Sequence, residues 1–173
     1  RRYGHNTHCA LVVWIDGSPH LIDPGYLIVR PVPLGTGGET RVRTAFNEVI
    51  LVPHDGGAKV DLFTEQAGSR TYRLMIRTTP ADTGEFLRAW DASFEWDMMR
   101  YPLLTRVKNG AQVYLQGNRL QVRTASNLTR IEVDPEGLPA VIASEFGVDP
   151  AIAVRALAVL CRKGEPRAAA PAR

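Results

Sequence analysis

His8–Pro33 reads HCALVVWIDGSPHLIDPGYLIVRPVP, and its pattern decides the fold. Leu11–Ile15 is a run of branched and aromatic side chains, the composition of a strand. Asp16-Gly17 follows, a pair that tolerates the positive φ of a tight hairpin turn, and His20–Ile22 begins the return. Closing that hairpin brings its open ends together, so His8 and Asp23 are expected side by side. A carboxylate beside an imidazole fixes the ring's tautomer and stabilises its protonated form, as a base that activates a nucleophile requires. Two members of a triad are therefore expected here, and the nucleophile is missing. The plainer alternative is a strand-end histidine and a turn aspartate without partnership, since Asp-Pro-Gly is a good turn by itself.

The residues His8, Leu11-Val12-Val13, Leu21-Ile22-Asp23, Gly25-Tyr26 and the exit Pro31-Val32-Pro33-Leu34 resemble the arylamine N-acetyltransferases. In that family a hydrophobic strand opens with the catalytic His, and a second ends in Asp-x-Gly-aromatic with prolines soon after. The resemblance implies that His8 is the catalytic base and that Asp23 orients it. Gly25 and Tyr26 would border the acyl-acceptor pocket, where a ring can stack on an arylamine. It implies acetyl-CoA as co-substrate and an arylamine or hydrazine as small-molecule acceptor, with no metal. Pro24, and Leu27 where the family usually has a second glycine, depart from the pattern.

The family's nucleophilic Cys lies upstream of the His, and only seven residues precede His8, opening Arg1-Arg2-Tyr3 without an initiator Met. The chain is accordingly expected to be the C-terminal portion of a longer enzyme, lacking the helical N-terminal segment and inactive alone. Two other readings use the same residues. One is a transglutaminase- or peptidase-like cysteine hydrolase; the other is a degenerate, non-catalytic binding domain.

Composition narrows the classes. Hydrophobic content of 45% and charged content of 23% are ordinary for a soluble domain, and 173 residues suffice for a real core. No apolar run approaches a membrane span, and no signal-peptide pattern opens the sequence, so no membrane partner is expected. The net charge of +3 sits wholly in residues 162–173, where four basic side chains face one acidic, so no basic face for nucleic acid is expected. Two cysteines argue against a disulfide framework and for a reducing cytoplasm.

Further along, Leu27–Arg30 extends the opening hairpin until Pro31 and Pro33 stop regular pairing. Leu34–Glu39 is a glycine-rich linker. Strands are expected at Phe46–Val52, Lys59–Phe63 and Arg70–Thr78, with a hairpin turn at His54–Gly57. Thr83–Trp90 reads as a short amphipathic helix with Phe86, Leu87 and Trp90 inward, and Phe94–Tyr101 as a bulky cluster of core or contact type. Strands Leu103–Val107, Gln112–Gln116 and Arg119–Thr124 follow, then helices Pro135–Phe146 and Pro150–Cys161, the second capped by Asp149.

The expected fold is α+β, mainly β. Residues 1–80 would form an antiparallel β-barrel or meander carrying His8 and Asp23, residues 81–163 an α/β lid with C-terminal helices, and residues 164–173 a disordered tail. The resemblance places this architecture among the transglutaminase-like cysteine-protease relatives, with the N-terminal helical bundle missing.

Two further chemistries are set aside on spacing. Cys9 follows His8 directly, so in a strand its side chain would face away from Asp23 and into the core. Cys161 falls in the apolar stripe of the last helix, where a buried thiol is unreactive. His5, His8 and Cys9 form a tempting HNTHC cluster, but no second ligand pair follows at zinc-finger spacing, so no metal is expected. His20 and His54 read as ordinary hairpin residues.

Overall fold

Residue pairs that accept a left-handed backbone punctuate the chain, and strands fill the intervals between them. In the computed structural model, which describes residues 7–35 and 37–164, Asp16-Gly17, Ala67-Gly68 and Asn109-Gly110 all have positive φ. That is the geometry a two-residue hairpin loop needs to match the twist of its strands. His5 of the HNTHC cluster and residues 165–173 of the expected tail lie outside the described residues.

Among the described residues there are three antiparallel sheets and three α-helices. β1 (Leu11–Ile15), β2 (Ser18–Asp23) and β3 (Ile28–Pro33) form the first sheet. β4 (Thr40–Arg43), β5 (Glu48–His54), β6 (Lys59–Gln66) and β7 (Ser69–Arg77) form the second. β8 (Leu103–Lys108), β9 (Ala111–Gln116), β10 (Arg119–Arg123) and β11 (Leu128–Glu132) form the third. The helices are α1 (Thr83–Ser93), α2 (Leu138–Phe146) and α3 (Pro150–Gly164), and none is long and apolar enough to cross a membrane. The chain divides into two compact units, one ending at Asp91 and the other beginning at Ala92.

In the first unit the two sheets feed one core. Leu21, Ile28 and Leu34 meet Val49, Leu51, Val60 and Leu62, with Val12, Tyr26 and Leu74 packed around them. The expected barrel does not close: strand pairing among the described residues runs β1-β2-β3 and β4-β5-β6-β7, two open sheets. Pro31 and Pro33 do not stop the pairing either. They lie inside β3, with Val32 opposite Leu21 and Pro33 opposite His20. β3 is an edge strand, where a missing N–H removes no ladder bond on the outer side. β4, sequence TRVR, is too short and polar to read as a strand by alternation. Ion pairs surround it: Arg41 reaches Glu39 at 2.8 Å and Glu48 at 2.9 Å.

α1 starts where its cap dictates, with the Glu85 N–H donating to Asp82 Oδ1 at 2.9 Å. Its apolar stripe was expected inward, but Phe86, Leu87 and Trp90 are exposed. Periodicity marks which side chains share a face, not what lies opposite. The Phe86 and Trp90 rings instead stack on each other, with centroids 6.3 Å apart. Phe94 and Met99 of the following cluster are also exposed rather than core.

In the second unit Val113, Leu115 and Leu120 of the third sheet pack against Leu138, Ile142 and Ala153 of α2 and α3. α2 begins at Leu138 rather than Pro135, because Gly137 N–H donates to the Asp134 carbonyl and closes a turn first. Gly147, at φ 73°, ends α2 by donating to Ala143 O. Asp149 Oδ1 then accepts from the N–H groups of Ala151 at 2.8 Å and Ile152 at 3.1 Å, capping α3. Cys161, expected in the buried stripe of α3, is exposed; Ala153 and Leu157 are the side chains that pack into the cluster. β11 escapes the sequence reading because every one of its residues is exposed, which leaves no hydrophobic alternation to see.

Candidate active site at the open end of the first hairpin

The β1–β2 register pairs Leu11 with Ile22 and Trp14 with Pro19, so the hairpin closes as its turn dictates. His8 precedes β1 by three residues, and Asp23 is the last residue of β2. Their side chains meet: His8 Nε2 and Asp23 Oδ2 are 2.7 Å apart. The Asp23 side chain is only 1% exposed, whereas His8 is 29% exposed. A buried carboxylate is tolerated only when it is paired and hydrogen-bonded, and His8 is the partner here. With the carboxylate oxygen as acceptor, a neutral ring carries its hydrogen on Nε2 and keeps the lone pair on Nδ1. That is the arrangement of a positioned base with one nitrogen committed and one available.

The turn after β2 wraps the pair. Pro24–Tyr26 is a single 3₁₀ turn, closed by Leu27 N–H donating to Pro24 O. Leu27 takes the left-handed backbone at φ 62°, a conformation that suits glycine far better than leucine. Gly25 is where the absence of a side chain matters most. A Cβ there would lie 3.1 Å from His8 Cε1 and 3.2 Å from Asp23 Oδ1, so any larger residue would press on both members of the pair. Tyr26 sets its ring edge-to-face against the imidazole, with centroids 5.4 Å apart and planes at 67°.

Electrostatics around Tyr26 reach the second sheet. Burial pushes the Tyr26 phenol above its ordinary value; the Arg73 guanidinium pulls it back down, and Asp23 adds an upward push. Arg73 lies on β7, and its Nε donates to the buried Thr64 Oγ1 at 2.7 Å. No local pattern marks Arg73 as a neighbour of the hairpin, since only the shared core of the two sheets brings it near. Asp23 Oδ1 is buried without a hydrogen-bond partner among the described residues.

Counterparts of this fold are known. The arylamine N-acetyltransferase of Mycobacterium marinum, solved in complex with CoA, matches 90% of this chain with a TM-score of 0.73 at 20% identity. The Salmonella typhimurium arylamine N-acetyltransferase matches 90% with a TM-score of 0.70 at 15% identity. The chain has the arylamine N-acetyltransferase fold. A Bacillus cereus arylamine N-acetyltransferase with a Cys-His-Glu catalytic triad matches 80% of the chain, with a TM-score of 0.63 at 16% identity. The chain spans 60%, 62% and 56% of those three structures respectively. No protein-family model matches the sequence, and no curated protein matches it by sequence.

The remaining candidates separate from this site. Cys9 is exposed, with its Sγ 3.9 Å from the Ala10 carbonyl, and does not pack into the core. The alternation argument failed because β1 begins only at Leu11, so His8 and Cys9 are not strand residues. Among the described residues no group of three His, Cys, Asp or Glu side chains could hold a metal ion. His20 Nδ1 bonds the Ser18 carbonyl at 2.9 Å within its own hairpin. The candidate site thus comes down to His8, Asp23, Gly25 and Tyr26, with Arg73 acting electrostatically on Tyr26.

Proposed function

We propose that His8 and Asp23 are the base and the acid of a Cys–His–Asp triad in an arylamine N-acetyltransferase-like enzyme, with the thiol supplied from outside this sequence. One observation carries the reading: on this fold, a histidine with Nε2 held 2.7 Å from a buried aspartate has Nδ1 uncommitted among the described residues. His8 Nδ1 takes the thiol proton, and the thiolate attacks the acetyl carbonyl of acetyl-CoA, forming a thioester as the CoA thiol leaves with the proton. The acceptor amine then attacks the thioester. His8 accepts the amine proton and returns it to the departing cysteine sulfur, so the triad ends as it began. Asp23 holds the ring in one tautomer and stabilises the imidazolium that forms twice per cycle. Gly25, exposed beside His8, leaves room for an arylamine or hydrazine, and Tyr26 borders the same place.

The test uses the product of the complete reading frame that contains this chain. Incubated with acetyl-CoA and no acceptor, it is expected to gain the mass of one acetyl group and to lose it when an arylamine is added. A protein with an alkylatable thiol that takes up no acetyl would overturn the reading, in favour of a cysteine hydrolase or a binding domain.

A further inference from the structure

We infer that Tyr26 is a positioning residue for His8, holding the imidazole in the rotamer that keeps Nε2 on Asp23 and Nδ1 open; this rests on the catalytic reading of His8 given above. A hydrogen bond to Asp23 fixes one ring atom, and the ring can still swing about it. A second contact restrains that motion, and the turn after β2 supplies it. Gly25 leaves the ring its place, since a Cβ there would lie 3.1 Å from Cε1, and the Tyr26 ring bounds it by edge-to-face contact.

Tyr26 is suited to the task because it is itself held. It is half-buried and packs against the core that both sheets of the first unit share, and burial dominates the environment of its hydroxyl. A ring anchored in this way is a wall for its neighbour rather than a free platform for a ligand. Aromatic pairs in this geometry attract beyond their simple area of contact. The turn that aims Tyr26 inward ends at Leu27 in the left-handed region, a posture leucine adopts at a cost. The chain bears that cost directly after the two residues, Gly25 and Tyr26, that the turn sets beside the imidazole.

The experiment reads the imidazole directly by ¹⁵N NMR of the uniformly labelled chain, so it does not depend on acetyl transfer. At a pH where His8 is neutral, the wild type is expected to show a pure Nε2–H tautomer and an NOE between the His8 and Tyr26 rings. Tyr26→Phe, which keeps the ring and deletes the hydroxyl, is expected to retain both. Tyr26→Leu is expected to lose the pure pattern for a mixed, broadened one while the backbone amide spectrum stays dispersed. A Tyr26→Leu spectrum with the wild-type tautomer and sharp His8 signals overturns the inference, since Asp23 alone would then suffice. Should Tyr26→Leu fail to fold, Tyr26→Met is read in its place. If that also fails to fold, the wild-type rings decide, and absence of the inter-ring NOE overturns the inference. Absence of an acetyl adduct would touch only the catalytic reading, and an unchanged His8 tautomer in Tyr26→Leu only this one.

Discussion

Two histidines of the first unit face carboxylates, and they differ in every respect that matters to chemistry. His8 meets one aspartate at 2.7 Å, that aspartate is 1% exposed, and among the described residues only one ring nitrogen is hydrogen-bonded. His54 lies between two aspartates, with Asp61 3.5 Å from Nε2 and Asp55 4.0 Å from Nδ1. Its partners are 32% and 55% exposed, and His54 Nε2, though buried, makes no hydrogen bond among the described residues. At His54 no hydrogen bond among the described residues holds either nitrogen, so nothing fixes the tautomer or aims one nitrogen by committing the other. At His8 the geometry spends one nitrogen to prepare the other. The pair that builds a site is distinguished by the burial of its carboxylate and by what it leaves open, not by the mere presence of a histidine near an acid.

Substitutions at the two pairs should therefore diverge, most of all in activity. Asp23→Asn preserves shape but no longer enforces the Nε2–H tautomer, and the rate of acetyl transfer is expected to fall by roughly 10⁴-fold, the scale seen when a triad acid is neutralised in this way. Asp61→Asn, at the exposed pair, is expected to leave that rate within about twofold. Single-turnover measurement of the acetyl adduct on both variants checks the contrast; equal effects would erase it.

Stability should diverge next. His8→Ala strips a buried carboxylate of its partner and is expected to destabilise the chain by about 3–5 kcal/mol. His54→Ala removes one member of a half-exposed cluster and is expected to cost no more than about 1 kcal/mol. Urea unfolding of the two variants against wild type supplies the comparison, and a smaller loss at His8 than at His54 would contradict the burial argument.

The smallest effect concerns alkali and sharpens the role of burial at the first pair. Because the folded state holds the Tyr26 proton above its ordinary value, Tyr26 contributes stability that is fully present below the unfolded pKa and is lost as pH rises through the folded one. Tyr26→Phe is expected to flatten the fall in stability on the alkaline side, above about pH 10. Thermal melts of the two proteins across that range would show it, and parallel curves would count against the burial of the hydroxyl.

What could be read without coordinates follows from local rules. Asp16-Gly17 and Asn109-Gly110 announce hairpins because few other pairs accept positive φ at both positions. Gly147 and Asp149 mark the end of α2 and the start of α3 through capping chemistry that acts within one turn. The adjacency of His8 and Asp23 belongs to the same class, since a hairpin brings its own ends together once its turn is known. Leu27 could be noticed as a departure, but its strain could not, because φ is not written in the residue type.

Tertiary structure decided the rest. Whether Phe86, Leu87 and Trp90 face a core depends on what packs over α1, and a periodic stripe is silent about that. The exposure of Cys9 and Cys161 follows from where β1 begins and from which stripe of α3 meets the third sheet. β4 and β11 exist because neighbouring strands offer them an edge to pair with, not because their own residues insist on it. The neighbourhood of Tyr26 and Arg73 arises because two sheets share one core. Sequence alone determines contacts that close within a turn or a hairpin, where the chain has few ways to go. Burial, and with it the chemistry that burial confers on Asp23, is a property of the assembled layers.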